Sequence, residues 1–432
     1  MLRKARISRI ASAILKLILT LLLFSVTQCA FLPEQTSNVD FDLSDNQQNV
    51  VKISLRGEAS PDNSALLSDI LQIVADDLTL SGRFKVNIEK ANHVDSEKSE
   101  FLSHGKITAK DNAFLVDFEL YLADQNQKLN SYQRIAQASQ FREVAHRVSD
   151  NVFQSVLGVR GPFSTKICFV TVHGKLKNRV YGLWIADADG QNKVPLYSSA
   201  EPIMSPSWSP NGKKIAFIAF KKHDRQGLFI YDLAEKSVRE LKLWDKGLVG
   251  APAWSPNSAY LSYTYIEKGN ADIHLLDLYA DEELQLTHDK AIDTEAVWMP
   301  DSKSLIFTSD RAGTPQLYQI NLDGSELARV TYNGRENAQA SVSPMAKNIA
   351  MIHKINGRYH IALLNRFSKK LTVLTNGNED ESPSFSPGGS MIIYSSVNGQ
   401  RSALNIVSSN GKIHKTLSKF DDVRQPSWSP LL

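Results

Sequence analysis

A Trp-Ser-Pro element recurs six times in the later part of the chain: Trp208-Ser209-Pro210, Trp254-Ser255-Pro256, Trp298-Met299-Pro300, Val342-Ser343-Pro344, Phe385-Ser386-Pro387 and Trp428-Ser429-Pro430. Its prolines are spaced by 46, 44, 44, 43 and 43 residues, a period that suits one four-stranded propeller blade. Five residues after each of the first five prolines stand Ile215, Leu261, Leu305, Ile349 and Ile392, and seven after stand Phe217, Tyr263, Phe307, Met351 and Tyr394. A separation of two puts both side chains on one face of a strand. Turn residues such as Asn211-Gly212 and Gly388-Gly389 fill the gap, as a hairpin requires.

A second strand follows in each repeat and ends on Asp, Asn or Ser: Leu228 to Asp232, Ile273 to Asp277, Leu317 to Asn321, Ile361 to Asn365 and Leu404 to Ser408. Leu183 to Asp187 is a sixth copy, upstream of the first Trp-Ser-Pro. The unit beginning near Lys166 therefore lacks a Trp-Ser-Pro strand, and the chain ends on an orphan one. A ring reconciles the two ends, because the C-terminal segment then supplies the innermost strand of the first blade and no edge is left open. An open stack or two β-sandwiches would have to produce the same registers by coincidence.

Ahead of the repeats the periodicity changes. Val50 to Leu55 alternates as a strand. Asn63 to Leu80 reads as a helix capped by Ser64, with Leu66, Leu67, Ile70, Leu71, Val74 and Leu78 as its stripe. Phe84 to Ile88 is a strand, and Lys106 to Thr108 pairs with Ala113 to Leu122 around Asp111-Asn112. Phe141 to Leu157 is a second helix, with Val144, Val148, Val152 and Val156 four apart and Gly158 to close it. The order implies a small mixed sheet with helices on one face. The expected fold class is thus β-rich with two domains: residues 31–160 as an α/β domain with an extended N-terminal segment, and 161–432 as a six-bladed β-propeller closed by a C-terminal strand.

Residues 1–30 read as a signal peptide, with a basic start followed by an apolar run from Leu17 to Val26. That run is 10 residues long, where a spanning helix needs about 20. An uncleaved anchor and a lipidated Cys29 are the alternatives. The net charge of +3 comes from this stretch: Arg3, Lys4, Arg6, Arg9 and Lys16 lie in it with no acid, and without them the balance is −2. A near-neutral remainder has no electrostatic footprint for nucleic acid. Cleavage after Cys29 or Ala30 leaves Cys168 alone, so no internal disulfide is possible, and its apolar surroundings make it a buried strand thiol.

The chain carries no Gly-x-Ser-x-Gly elbow, no His-Glu-x-x-His, no phosphate-cradling glycine loop and no clustered Cys/His ligands. His146 reads as a structural residue rather than a base. Asp187/Asp189 and Glu379/Asp380/Glu381 read as turn and solvated-surface acids. Neither an enzyme, a cofactor nor a metal is expected. Two other readings stay open: an extracytoplasmic propeller for a small ligand or glycan, which requires aromatics around the channel mouth, and an accessory propeller of a peptidase.

Longer stretches are more specific than the repeat: Asp77-Leu78-Thr79-Leu80-Ser81-Gly82-Arg83-Phe84, Ala145-His146-Arg147-Val148-Ser149-Asp150, Gly161-Pro162-Phe163-Ser164-Thr165, Leu183-Trp184-Ile185-Ala186-Asp187 and Met204-Ser205-Pro206-Ser207-Trp208. Through them nearly the whole chain resembles the TolB family of the Tol–Pal envelope system. The resemblance implies a non-enzymatic periplasmic adaptor, a monomer with no nucleic-acid partner. It would bind the Pal lipoprotein through the propeller mouth, and so associate peripherally with the outer membrane. It would bind the C-terminal domain of TolA through its N-terminal segment. The implied roles are outer-membrane integrity, constriction during cell division and protein import. The matching Pal-binding positions are Glu201, Met204, Ser205, Ala251, Thr294, Glu295, Ala338, Asp380 and Glu381. The TolA-binding segment maps to Val39, Phe41, Leu43 and Val50. Where the family follows with a Val-Pro-Phe-like strand end, this chain has Leu55-Arg56-Gly57.

Overall fold

The structure, a computed structural model, describes residues 50–89, 99–174, 178–221, 225–243, 247–398, 401–419 and 422–432. The expected signal peptide, Cys29, and the segment residues Val39, Phe41 and Leu43 lie outside the described residues.

The first part is a five-stranded sheet in the order β2-β1-β3-β4-β5, with β1 Val51–Ala59, β2 Phe84–Ile88, β3 Phe101–Lys110, β4 Ala113–Leu122 and β5 Gln127–Ala136. β1 runs parallel to β2 and β3, and the rest of the sheet is antiparallel. Helices α1 (Ser64–Leu80) and α2 (Phe141–Leu157) pack on each other and on the sheet. The face they cover carries Phe114, Val116, Phe118 and Leu120, buried at every second position of β4.

Four local expectations change. β1 continues through Arg56-Gly57 to Ala59, because a side chain at Gly57 would run into Leu67 and the Gly105 carbonyl, so only glycine lets the strand pass there. β3 is ten residues long rather than three; its core-facing Ser103 and Gly105 conceal the alternation, and the Phe118 ring fills the space above Gly105. Ser64 does not cap α1: its hydroxyl donates to the Pro61 carbonyl at 2.8 Å, across a short 3₁₀ turn. β5 is a polar edge strand that periodicity missed, since its side chains are mostly exposed. The end of α2 is as expected: Gly158 sits at φ 73° and its N–H returns to the Gln154 carbonyl.

The repeats form four separate four-stranded sheets and one of eight strands. The eight-stranded sheet is two four-stranded units joined by one parallel pairing, Tyr359 with Glu379. Six blades result. Blade 1 comprises Lys166–His173, Val180–Asp187, Val194–Ser199 and, from the C-terminus, Val423–Trp428. The inner strands of blades 2 to 6 are Ile203–Trp208, Leu248–Trp254, Asp293–Trp298, Asn337–Val342 and Glu379–Phe385. Each inner strand touches the next, and the sixth touches the first, so the ring closes.

The serine and the tryptophan of the Trp-Ser-Pro element each have a physical role. The serine hydroxyl accepts the backbone N–H five residues on and so closes the hairpin: Ser209 from Lys214, Ser255 from Tyr260, Ser343 from Asn348 and Ser386 from Met391. At the ring seam Ser429 does the same for Lys166, at 3.0 Å across 263 residues of sequence. Several tryptophans stitch neighbouring blades: Trp208 Nε1 donates to the Ser427 carbonyl at 3.2 Å and Trp298 Nε1 to the Ala253 carbonyl at 3.0 Å. Cys168 is buried in blade 1, and burial pushes its thiol far above the usual range, away from reactivity.

Candidate functional site

Every inner strand carries one extra residue relative to its neighbour, a β-bulge. At each bulge a non-glycine residue takes the left-handed conformation: Ser205, Ala251, Glu295, Gln339, Ser382 and Gln425, with φ between 45° and 56°. Each stands five residues before its repeat proline. Together with the next two residues of each strand they line a cavity of about 220 Å³ on the propeller axis.

Three of the bulge residues form a hydrogen-bonded chain. Gln339 Nε2 donates to Glu295 Oε1 at 3.0 Å, Thr308 Oγ1 donates to Glu295 Oε2 at 3.3 Å, and the Ser382 N–H donates to Gln339 Oε1 at 2.7 Å. The last bond fixes which way the Gln339 amide points. Across the ring the Ser205 N–H donates to Gln425 Oε1 at 2.8 Å. Burial raises the Glu295 carboxyl above the usual range, opposed by its bonds from Gln339 and Thr308. Burial likewise raises Glu381, with the Arg424 guanidinium pulling the other way. The cavity thus presents hydroxyls, amides and one partly desolvated carboxyl, and no aromatic side chain stands among its lining residues.

The nine partner-contact positions expected above fall into four classes. Ser205, Ala251 and Glu295 are bulge residues on the cavity wall. Met204, Thr294, Ala338 and Glu381 stand one residue earlier, half-buried at the mouth where the inner strands begin. Glu201 is half-buried just upstream of that mouth.

Asp380 is a correction. It is 1% exposed, accepts hydrogen bonds from the Thr375 and Ser396 hydroxyls, and faces the blade interior. It belongs to a repeated brace: Thr287, Thr331 and Thr375 each accept a strand N–H and donate to Asp272, Gln316 and Asp380 respectively. Its equivalents two residues before each bulge are all buried: Ile203, Val249, Asp293, Asn337 and Val423. Gln339, Ser382 and Gln425 were missed, although the constant five-residue offset from proline would have located them. Val50 is half-buried immediately before β1.

A left-handed alanine costs about 1–2 kcal/mol, and glycine's added chain entropy offsets about 0.5–1 kcal/mol of that. Ala251→Gly is therefore expected to leave the fold intact and raise stability by up to about 1 kcal/mol in urea unfolding. A loss of stability would mean the Ala251 methyl packs productively against the wall.

A second cluster lies where α2 meets blade 1. Asp187 and Asp189, expected as solvated turn acids, do form a turn, with the Gly190 N–H on the Asp187 carbonyl at 2.8 Å. They are not solvated: Asp187 is 6% exposed and pairs with Lys166 and with Asn192 Nδ2, and Asp189 pairs with Arg142. Among the described residues, His146, Asp187 and Asp189 bring ligand-type atoms within 4.8 Å of one another. Both carboxylates are already engaged by cations, which a metal would have to displace, so the group is better described as an ion-pair network.

Comparison with known proteins gives a consistent result. The family model described as the TolB beta propeller domain matches residues 153–432. The Tol-Pal system protein TolB of Ruthia magnifica is 47% identical over 67% of this chain and 69% of its own length. The protein of the same name from Alcanivorax borkumensis is 39% identical over 84% and 87%. The crystal structure of TolB from Acinetobacter baumannii superposes with a TM-score of 0.79 at 32% identity, covering 89% of this chain and 98% of that one. No helix among the described residues is long and apolar enough to cross a membrane.

Proposed function

Because the chain belongs to the TolB family of Tol–Pal system proteins, we propose that it is a non-enzymatic periplasmic adaptor that holds the Pal lipoprotein over the mouth of its propeller channel and TolA through its N-terminal segment. The supporting observation is the ring of bulges, which turns hydrogen-bonding groups toward the axis on a scaffold whose backbone is braced blade by blade. Within it, Glu295 is pre-oriented by Gln339 and Thr308 to accept from a partner's N–H or basic side chain. The contact set is Glu201, Met204, Ser205, Ala251, Thr294, Glu295, Ala338 and Glu381, with Gln339 added and the buried Asp380 left out. Val39, Phe41, Leu43 and Val50 form the TolA-binding segment. Bridging an outer-membrane lipoprotein and an inner-membrane protein is the means by which such an adaptor supports envelope integrity, constriction and import. A glycan-binding channel is disfavoured by the lack of aromatic side chains on the cavity wall.

The test is calorimetric titration of the mature protein with the soluble domain of Pal from the same organism, repeated after deleting residues 31–50 and with Glu295→Lys. Saturable binding is expected. The lysine variant should weaken it at least tenfold with an unchanged circular dichroism spectrum, because it reverses the charge where an acceptor is required. Unchanged affinity removes Glu295 from the interface. A change in affinity on deleting 31–50 supports reciprocal coupling between the two partner sites, whereas an unaffected affinity discards the coupling and keeps the adaptor. No binding by any form overturns the Pal assignment.

A further inference from the structure

The junction between the helices and blade 1 holds a buried imidazole between carboxylates of two layers. His146 projects from α2 and its side chain is 3% exposed. Its Nδ1 lies 2.8 Å from Asp77 Oδ2 of α1, and the same carboxylate accepts the Ser149 hydroxyl at 2.8 Å. Its Nε2 has no hydrogen-bond partner and lies 3.8 Å from Asp189 Oδ2 in the blade 1 turn.

The two protonation states of this ring differ in what they present to the blade. Neutral, with the Nδ1 proton donated to Asp77, the ring turns a buried lone pair toward a carboxylate. That contact is repulsive and leaves Nε2 unsatisfied. Protonated, the ring donates at both nitrogens and attracts both carboxylates. The groups packed around it are Asp77 from α1, Arg142 and Asp150 from its own helix, and Lys166, Asp187 and Asp189 from blade 1. Four carboxyls stand at the junction: Arg142 pairs with Asp189 and Lys166 with Asp187, Asp150 accepts from the Phe163 and Ser164 N–H groups and the Ser164 hydroxyl, and an imidazolium balances Asp77.

We propose that His146 is a proton-operated latch, which bridges Asp77 and Asp189 when charged and leaves Asp189 to Arg142 when neutral. The latch rests on this geometry and not on the identity of any partner. Two further junction contacts carry no titratable group: Asn410 Nδ2 donates to the Gly82 carbonyl at 2.9 Å, and Gly388 packs against the Arg160 carbonyl.

The sign follows from the direction of the shift. Desolvation lowers the His146 pKa, but the opposing pull of Asp77, and then of Asp189 and Asp187, outweighs it and leaves it raised. A raised folded-state pKa contributes stability that is present below the unfolded value of about 6.5 and is lost as pH rises through the folded value. Other groups act below that window, Asp150 and His353 among them. Burial raises Asp150 to about 6, so its contribution is lost between about pH 4 and 6. His353 is lowered by burial, so its contribution is lost as pH falls below about 6.5. The range from 6.5 to 8 separates His146 from both.

The experiment is an NMR titration of the imidazole resonances in the full mature chain, for the wild type, Asp189→Asn and Arg142→Gln. The expected His146 pKa lies above the free value in the wild type, falls in Asp189→Asn, and rises further in Arg142→Gln, where the competing cation is gone. In parallel, hydrogen exchange of the amides from Asp187 to Gly190, corrected for the intrinsic pH dependence, should be slower at pH 6.5 than at pH 8. His146→Gln should abolish that difference. The latch is overturned if Asp189→Asn leaves the His146 pKa unchanged, since the ring then answers to Asp77 alone. It is equally overturned if exchange at the turn is the same at both pH values in the wild type. The wild-type and Asp189→Asn titrations decide the matter even if His146→Gln fails to fold.

Discussion

Removal of residues 422–432 is expected to abolish the cooperative thermal transition of the propeller, or to lower it by more than about 10 °C, where a loss of 1 kcal/mol shifts a domain of this size by about 2–4 °C. The deleted stretch is the inner strand of blade 1. It pairs Val423 with Thr171 and Trp428 with Ile167, and buries both Val423 and Trp428. Trp428 Nε1 donates to the Thr165 hydroxyl at 2.8 Å, and its backbone N–H donates to Ser384 Oγ of the neighbouring blade at 3.0 Å. Losing the strand opens the ring on both sides and leaves Cys168 and Val170 on an unpaired edge. The milder Trp428→Ala should cost about 3–5 kcal/mol, the usual figure for a buried tryptophan. Differential scanning calorimetry reads both changes. An unchanged transition after the deletion would show that the ring does not depend on its C-terminal strand.

Arg311→Ala is expected to destabilise the propeller by about 3–5 kcal/mol, because it strands a buried carboxylate. Asp293 is 0% exposed and is held by Arg311 NH2, 2.8 and 3.0 Å from its two oxygens. The guanidinium also stacks near the Phe307 and Tyr318 rings, at 5.4 and 5.0 Å from their centroids. The cost should appear as a lower urea midpoint. Replacing both partners together, as Asp293→Leu with Arg311→Met, should recover most of it, since a buried ion pair exchanged for apolar side chains of similar volume is often neutral. If Arg311→Ala alone costs under about 1 kcal/mol, in the range of a surface pair, the carboxylate is being rescued by water. The position matters to the site because Asp293 anchors the strand two residues before Glu295.

The acids of the inner strands show where reading the sequence stops. Asp293, Glu295, Asp380 and Glu381 look alike in the sequence; the resemblance places the last three on the partner face and gives Asp293 no role. Glu295 does line the cavity, whereas Asp293 and Asp380 are braced inside their blades. Simple alternation along the strand cannot separate them, because the bulge inserts one residue and changes which side chains face the axis. In the helical part the same limit appears differently. α2 was legible from its valines and Gly158, while β5 was not, since an exposed edge strand has no apolar face to give it a period.

The sequence alone determined the number of blades, the hairpin registers within each repeat, and the seam at which the C-terminus completes the first blade. These depend on local rules: a period of two in strands, serine and glycine at fixed turn positions, and a repeat length that each blade must share. Only the tertiary structure decided which polar residues line the axial cavity and which are braced inside a blade. Glu295 owes its orientation to Gln339, 44 residues away, and His146 owes its environment to Asp77, 69 residues away, and to a turn in another layer. The first pair is one repeat apart and the second has no fixed spacing, yet in both the side chain's burial and charge are set by what the folded chain brings against it.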